Sequence, residues 1–551
     1  MEKREDLRSI LPYLGVVVEG SSVLWPSPVI EPLKAISRGP DHSGIHSGEL
    51  LFLAISDLRH SLSLSSQRLS ASAPHGYALF FDKLLSRPES SKWFAEVLPA
   101  LANLLLRFPS LLEFHYRNAD TLIDGVQTGL RILDSQQSGI VFSQPGRKFP
   151  TYYKELIGAL LTCSFFCLFP ITNRDAKHLP MINFDHLFSC LYDIYDEKME
   201  NKIKCIVHYF ERICSQMPTG LVSFERKVLP LEDSPFCVTY PKADLWSKSA
   251  VPLCHFEVHR SGLIEDQSKE ALEVDFANRY IGGGALRRGC VQEEIRFMIN
   301  PELIAGMLFL PSMADNEAIE VVGPERFSNY TGYASSFHFA GDYVDKRDVD
   351  FMGRRKTKMI AIDALCDMRM RQYRLECLLR EINKAFCGFL INPNVSSTRD
   401  CLKVMDFVGL ILIKGFKLQE APYASVGTNE GIYGDQQIRN AEEKGGHSLG
   451  HRYDIGVVTG NWGCGIKTFH FIPHIWCGGI KDSGQGIVPF YSENFTVIQW
   501  ILSHKWTVGD LWDMLVEYST QRLRGETSLG FFTWLLPSLS APDATMMDMA
   551  D

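Results

Sequence analysis

Apolar residues recur every three to four positions through much of the first 240 residues of this chain. Between Ser91 and Pro109, Trp93, Val97, Leu101 and Leu104/Leu105 share one face, which predicts a helix that Pro99 should kink. The same spacing returns in Phe184, Leu187, Leu191 and Ile194, and again in Ile203, Ile206, Phe210 and Ile213, with the polar stretch Tyr195 to Lys202 between them. Ser61 to Pro74 and Ser135 to Gly146 are polar and serine-rich and read as loops. The longest apolar run, Leu156 to Ile171, would make a helix of about 24 Å, short of a roughly 30 Å hydrocarbon core, so a helix buried inside the protein is expected.

From about Cys254 the period changes. Leu272, Val274 and Phe276 alternate with Glu273, Asp275 and Ala277, and short β-rich runs follow at Ile319 to Val322, Met359 to Ile362 and Ile455 to Val458. They alternate with helical stretches such as Met368 to Lys384, the mark of an α/β domain. Thr507 and Asp510 have a capping-box spacing ahead of Leu511, Leu515 and Tyr518, so another helix should start there. At 551 residues the chain exceeds what one core of roughly 250 to 300 residues holds. The expected division is a mainly helical accessory domain over 1–240, an α/β domain over 241–540 and a loose tail over 541–551.

Charge and cysteine usage narrow the function classes. Lys and Arg number 56 against 65 Asp and Glu, a net charge of −9, which is the wrong sign for coating duplex nucleic acid by phosphate neutralisation. The fourteen cysteines include no Cys-x-x-Cys pair and read as buried thiols of a reducing compartment rather than as disulfides or zinc ligands. The pairs His42/His46, His255/His259, His447/His451 and His470/His474 complete no His-Glu-x-x-His set, so no metal is expected. The charged start Met1 to Asp6 leads into no apolar signal core, and neither secretion nor a membrane partner is expected.

The stretch that carries chemistry runs from Leu272 to Ile295 and reads as strand, glycine loop, helix. Gly282, Gly283 and Gly284 permit positive φ and let backbone N–H groups approach a ligand, and the helix start beyond them favours an anion such as a diphosphate. Glycines after a strand also make ordinary turns. The spacing is not that of a dinucleotide fold, because Arg287 stands where the third glycine would be. Glu293 and Glu294 add acids that a turn does not need. On a helical wheel Glu294 lies about 40° beyond the edge of the face formed by Val291, Ile295 and Met298, and Glu293 points away from it. Glu294 is therefore expected to be half buried, and partial burial beside a second carboxylate raises a pKa toward what a general acid needs. Two acids in a first helical turn also complement the helix dipole, which accounts for the charges but not for the glycines.

Gly282-Gly283-Gly284, seven residues and then Gln292-Glu293-Glu294 resembles the signature of the poly(ADP-ribose) glycohydrolases. The flanks Val274 to Arg279 and Arg296 to Leu303 resemble that family too. So do, in order, Pro218 to Val222, Tyr330 to Tyr333, Ala361 to Leu365 and Thr459 to Gly465, and the helical leader is of the kind plant members carry. The resemblance implies a macrodomain-like α/β/α sandwich on a mixed sheet, preceded by the helical accessory domain. It implies cleavage of ribose-ribose O-glycosidic bonds in poly(ADP-ribose) on modified proteins, releasing ADP-ribose mainly from the free end.

Carried over residue by residue, Glu294 would be the general acid and then the base, with Asp275 and Glu293 as the other two acids of the site. Glu293 and Asn278 would hold the ribose. Gln292, Ile264 and Glu265 would contact the terminal ADP-ribose, the last two on the adenine side, and Tyr333 would close over the diphosphate lying on Gly282 to Gly284. Asn461, Trp462, Gly463, Cys464 and Gly465, with Ile466 next to them, would form a second phosphate loop. No cofactor is implied. A monomer is expected, placed by family habit in nucleus and cytoplasm.

After Gly465 the resemblance stops. Lys467 stands where the family has a Phe that presses the distal ribose toward the acids, and Ile466 to Ser492 has no counterpart, so the adenine-stacking aromatic has no assignment. The alternative is thus a catalytically impaired macrodomain that binds ADP-ribose or its polymer without cleaving it. Arg354-Arg355-Lys356 with Lys358 reads as a solvated strand entrance, with a polymer contact or nuclear signal as the other possibility, and Ser425 to His451 as a flexible loop.

Overall fold

In the amino-terminal part the apolar stripes become helices that bury those stripes against one another. The computed structural model describes residues 11–122, 151–172, 174–232, 239–253, 262–266, 270–366, 369–390, 456–459, 500–501 and 503–539. A short hairpin of β1 (Val17–Glu19) and β2 (Ser22–Leu24) leads into α1 (Ser27–Ser37), α2 (Gly48–Ser61) and α3 (Leu98–Leu122). The disturbance expected at Pro99 takes the form of a π-helical turn over Trp93–Val97, closed by the Leu98 N–H on the Trp93 carbonyl. Proline has no N–H to offer its own turn, and widening the helix just before it accommodates the ring. Every residue from Leu156 to Phe165 in α4 (Lys154–Phe165) is buried, as the length argument required. The paired stripes further on become α5 (Asp185–Asp193) and α6 (Glu197–Ser215). The polar stretch between them is shorter than expected, because α6 already begins at Glu197 and Lys202 lies inside it.

The remaining strands are β3 (Thr151–Tyr153), β4 (Leu221–Val228), β5 (Ala271–Ala277), β6 (Glu317–Val322), β7 (Ser328–Thr331), β8 (His338–Asp342), β9 (Lys358–Asp363) and β10 (Gly456–Val458). Six form one sheet in the order β10-β5-β9-β6-β4-β3, with β5 parallel to both of its neighbours and the other pairs antiparallel, so the sheet is mixed as expected. Two of these strands, β3 and β4, come from before residue 240 and carry the sheet into the helical part of the chain. β7 and β8 make a separate hairpin whose turn carries Tyr333.

Helices cover both faces. The amino-terminal helices and α7 (Gln292–Ile299) share one continuous apolar core with Phe224, Ala277, Val321 and Met359 of the sheet. On the opposite face α8 (Leu375–Phe389), α9 (Val508–Arg524) and α10 (Phe531–Leu539) pack on Leu272, Val274, Ile360 and Ile362. The capping box that opens α9 forms as expected, with Asp510 N–H on Thr507 Oγ1 and Thr507 N–H on Asp510 Oδ2.

This layering changes how β5 must be read. Its alternation suggests one wet face, yet all its residues but Phe276 are buried. Glu273, Asp275 and Ala277 turn toward the layer that holds α7, and two acids are thereby buried in the middle of the protein. Glu273 is neutralised, by Arg296 at 2.6 Å and Arg347 at 2.6 Å. Among the described residues Asp275 has no hydrogen-bond partner on either oxygen.

Candidate active site

Leaving β5, the chain folds over the start of α7 through a loop whose shape depends on glycine. Gly282 (φ +87°) and Gly283 (φ +48°) hold left-handed conformations. The Gly283 N–H closes the turn on the Tyr280 carbonyl, while the N–H groups of Gly282, Gly284, Asn278 and Val291 turn inward onto the acids of α7. Glu293 accepts from Gly282 N–H at 2.6 Å and Asn278 N–H at 2.8 Å. Glu294 accepts from Gly284 N–H at 2.9 Å through Oε1 and from Val291 N–H at 2.9 Å through Oε2. The Val291 bond is the half of a capping box that a glutamate at the third helical position supplies. The Gly284 bond is not part of any cap and belongs to the loop.

There is no room here for side chains on the loop. A Cβ on Gly283 would lie 2.6 Å from Glu293 Oε2 and 2.8 Å from Glu294 Oε1, and a Cβ on Gly289 would lie 2.6 Å from Glu294 Oε1. Gly289 has an ordinary backbone conformation, so close approach to the carboxylate is what requires glycine there. That residue falls in the seven-residue spacer of the signature and is missed by a search for glycine runs.

The three acids form one buried group. Burial, with the charge of Glu294 added to it, pushes the Asp275 carboxyl up, although the Arg296 guanidinium opposes the shift. Glu293 is pushed well up by burial and by Asp275 and Glu294, against the pull of its two N–H donors. Two such carboxyls cannot both ionise cheaply, so the pair holds a proton at neutral pH. Glu293 has two backbone donors and Asp275, among the described residues, has none, and the proton belongs to the pair. Two expectations are corrected. Glu294 is buried rather than half buried, at 8% exposure. Glu293, which the helical wheel turns away from the apolar face, is buried as well, at 2%, because the glycine loop closes over that side of α7.

Other residues singled out in the sequence lie around this group. Asn278 is exposed at the mouth of the loop, its Oδ1 accepting from Tyr280 N–H. The Gln292 amide is engaged with β5, accepting from Phe276 N–H at 2.9 Å and donating to the Val274 carbonyl at 3.1 Å. Ile264 and Glu265 form a buried 3-10 turn, where Glu265 accepts from the Tyr330 hydroxyl and its carbonyl accepts from Arg347. Tyr333 is 46% exposed and reaches across to the start of α7. Burial pushes its hydroxyl up to about 12, while the Gln292 backbone N–H facing its oxygen works the other way. Asn461 to Ile466, Lys467 and the rest of the stretch to Ser492 lie outside the described residues, as do Ser135 to Gly146 and Ser425 to His451.

One neighbour of the glycine loop comes from the helical part. Lys202 of α6 is fully buried, and its Nζ donates to the carbonyls of Gly284, Arg287 and Gly289. The signal for it was present: Met199, Lys202, Ile206 and Tyr209 share one stripe of the helix, and a lysine on that stripe has to be buried.

The basic run before β9 is occupied by acids. Arg354 pairs with Asp350 at 2.7 Å, Arg355 with Glu325 at 3.6 Å and Lys356 with Glu270 at 2.5 Å, in keeping with a strand entrance.

Residues 85–226 match the family described as "Poly (ADP-ribose) glycohydrolase (PARG), helical domain", and residues 243–470 that described as "Poly (ADP-ribose) glycohydrolase (PARG), Macro domain fold". The chain is 53% identical to poly(ADP-ribose) glycohydrolase 1 of Arabidopsis thaliana, with 98% of each chain covered. It is 50% identical to probable poly(ADP-ribose) glycohydrolase 2 of the same plant, covering 98% of this chain and all of that one. A shorter match, 34% identical over 201 residues, covers 34% of this chain and 25% of poly(ADP-ribose) glycohydrolase 1 of Caenorhabditis elegans.

Proposed function

The chain belongs to the poly(ADP-ribose) glycohydrolase family, and from that premise we infer that it hydrolyses poly(ADP-ribose), with Glu294 as the acid and then the base of the reaction. Near-complete coverage by two relatives named for this activity favours cleavage over the alternative of binding alone. The observation that carries the role of Glu294 is its double tether: one oxygen on the helix start, the other on Gly284, under a loop that leaves no space for a Cβ beside it.

Breaking a ribose-ribose bond builds positive charge on the sugar and negative charge on the leaving oxygen, so a proton at that oxygen and negative charge beside the ring both lower the barrier. Adjacent residues of one helical turn cannot flank a bond from opposite sides. One carboxyl acting twice is the consistent arrangement, protonating the leaving ribose and then taking a proton from water. Glu293 and Asp275 share a proton, which limits the negative charge crowded against Glu294 while leaving a net negative site for the cationic sugar. Asn278, at the loop mouth, holds the ribose and Tyr333, beside the start of α7, the diphosphate in this reading, and the substrate is the polymer as it is carried on modified proteins.

The test is incubation with labelled polymer and measurement of free ADP-ribose. Glu294→Gln should lower turnover by roughly 10²- to 10⁴-fold while product still binds. Wild-type release from that variant would remove Glu294 from the mechanism.

A further inference from the structure

The helical part of the chain sends a charged side chain into the site. Lys202 lies in the second turn of α6 with no exposed surface, and three carbonyls of the glycine loop converge on its ammonium: Gly284 at 3.3 Å, Arg287 at 2.7 Å and Gly289 at 2.5 Å. A buried lysine normally pairs with a carboxylate, and a lysine needed for folding alone could do so here. This one instead uses its three donors on main-chain oxygens, and two of those oxygens belong to the glycines that crowd Glu294.

Gly284 holds Lys202 with its carbonyl and Glu294 with its N–H, so one residue separates the ammonium from the carboxylate. Gly289 holds Lys202 with its carbonyl and presses its α-carbon side against Glu294 Oε1. The Gly289 N–H also bonds to the Gly284 carbonyl, which ties the two ends of the loop together at the same ammonium. We propose that Lys202 is a positioning residue for catalysis: it fixes the Gly284–Gly289 loop and thereby the orientation of the Glu294 carboxyl toward the bond to be cut. This rests on the acid–base role of Glu294. It gives the accessory part of the chain a direct share in the chemistry, because no residue of the macrodomain among those described takes the place of that ammonium.

A protonation signature follows. Burial brings the Lys202 ammonium down to about 8, with Lys198 of its own helix adding to the shift and Cys290 and Glu294 of the site and Cys190 of α5 opposing it. Above that pH the amine keeps two donors for three carbonyls. The folded state then releases this proton before the unfolded chain does at 10.5, so between about pH 8 and 10.5 this group favours folding more as pH rises, while its hold on the loop weakens. Activity and stability are expected to move in opposite directions there.

The experiment compares wild type, Lys202→Met, Lys202→Arg, Glu294→Gln and the Lys202→Met/Glu294→Gln double variant as full chains, reading kcat, KM, ADP-ribose affinity and melting temperature from pH 6 to 10. Lys202→Met should lose about 10²-fold in kcat, the usual effect of a small misplacement of a reacting group, with KM and ADP-ribose affinity little changed. Its profile should lack the fall in activity near pH 8. Lys202→Arg, which stays charged, should recover part of kcat and keep it at higher pH. The double variant should be no slower than Glu294→Gln alone. The proposal is overturned if Lys202→Met keeps wild-type kcat while Glu294→Gln is inactive, or if its losses in kcat, affinity and melting temperature run in parallel. Full activity in Glu294→Gln would instead overturn the acid–base role itself.

Discussion

The carboxyl ends of β5 and β9 lie side by side, with Ala277 level with Asp363, yet the two ends treat buried acids in opposite ways. At β9 every acid has a cation. Asp363 meets Arg380 at 2.7 Å and Lys384 at 2.6 Å, and Glu381 meets the same guanidinium at 2.8 Å. At β5, among the described residues, no ion pair reaches Asp275, Glu293 or Glu294; backbone N–H groups serve two of them and Asp275 has nothing. Compensation marks the end that holds the sheet on α8. Withheld compensation marks the end at which we propose that substrate binds, where a cation would neutralise the charge that the reaction uses.

The contrast can be broken from either side. The largest effect is expected at β9: Arg380→Met strands Glu381, leaves Asp363 with Lys384 alone, and should lower unfolding free energy by about 3 to 5 kcal/mol in a denaturant titration, with turnover per folded molecule retained. An unchanged midpoint would mean that this network contributes no more than a surface pair. Next is Gly289→Ala, whose Cβ would press on Glu294; turnover should fall about 10²-fold, close to 3 kcal/mol, although no acid has been touched. If ADP-ribose is released at the wild-type rate, the exact seat of that carboxyl does not matter.

A smaller effect separates the two ends by pH. The Asp275/Glu293 pair binds a proton more tightly folded than unfolded, so its contribution to stability is present at low pH and declines as pH rises from about 4 through the raised values. Asp275→Asn should flatten that decline by at least one pKa unit's worth, about 1.4 kcal/mol, between pH 5 and 8. Equal slopes for variant and wild type would place the shared proton elsewhere. The smallest change is expected from Lys356→Ala at the mouth of β9. Its half-exposed partner Glu270 makes the pair worth less than about 1 kcal/mol, and the KM for polymer should not move; a raised KM would restore a substrate role to that basic run.

Local signals made much of this legible in the sequence. The switch from three-to-four spacing to alternation locates β5, the glycine run locates the turn, and Gln292 to Ile295 locate the start of α7. What sequence order cannot display is what folds back from a distance. Leu221 to Val228 gives no hint that its partner is β6, some ninety residues on. Glu293 is read as pointing away from the core because the wheel knows the helix and not the loop that covers it. Lys202 falls in a polar stretch only if its neighbours in sequence are counted; its three carbonyl partners are more than eighty residues away. The site is thus readable where the chain makes it from one segment and hidden where two segments meet.

The apolar core that runs from Tyr13 to Ala361 gives the helical part and one face of the sheet a single fate. Its two recognisable sequence units share that core, so heat should melt them in one transition. A lesion at Leu104, buried among the helices, then weighs on catalysis as part of the same cooperative body.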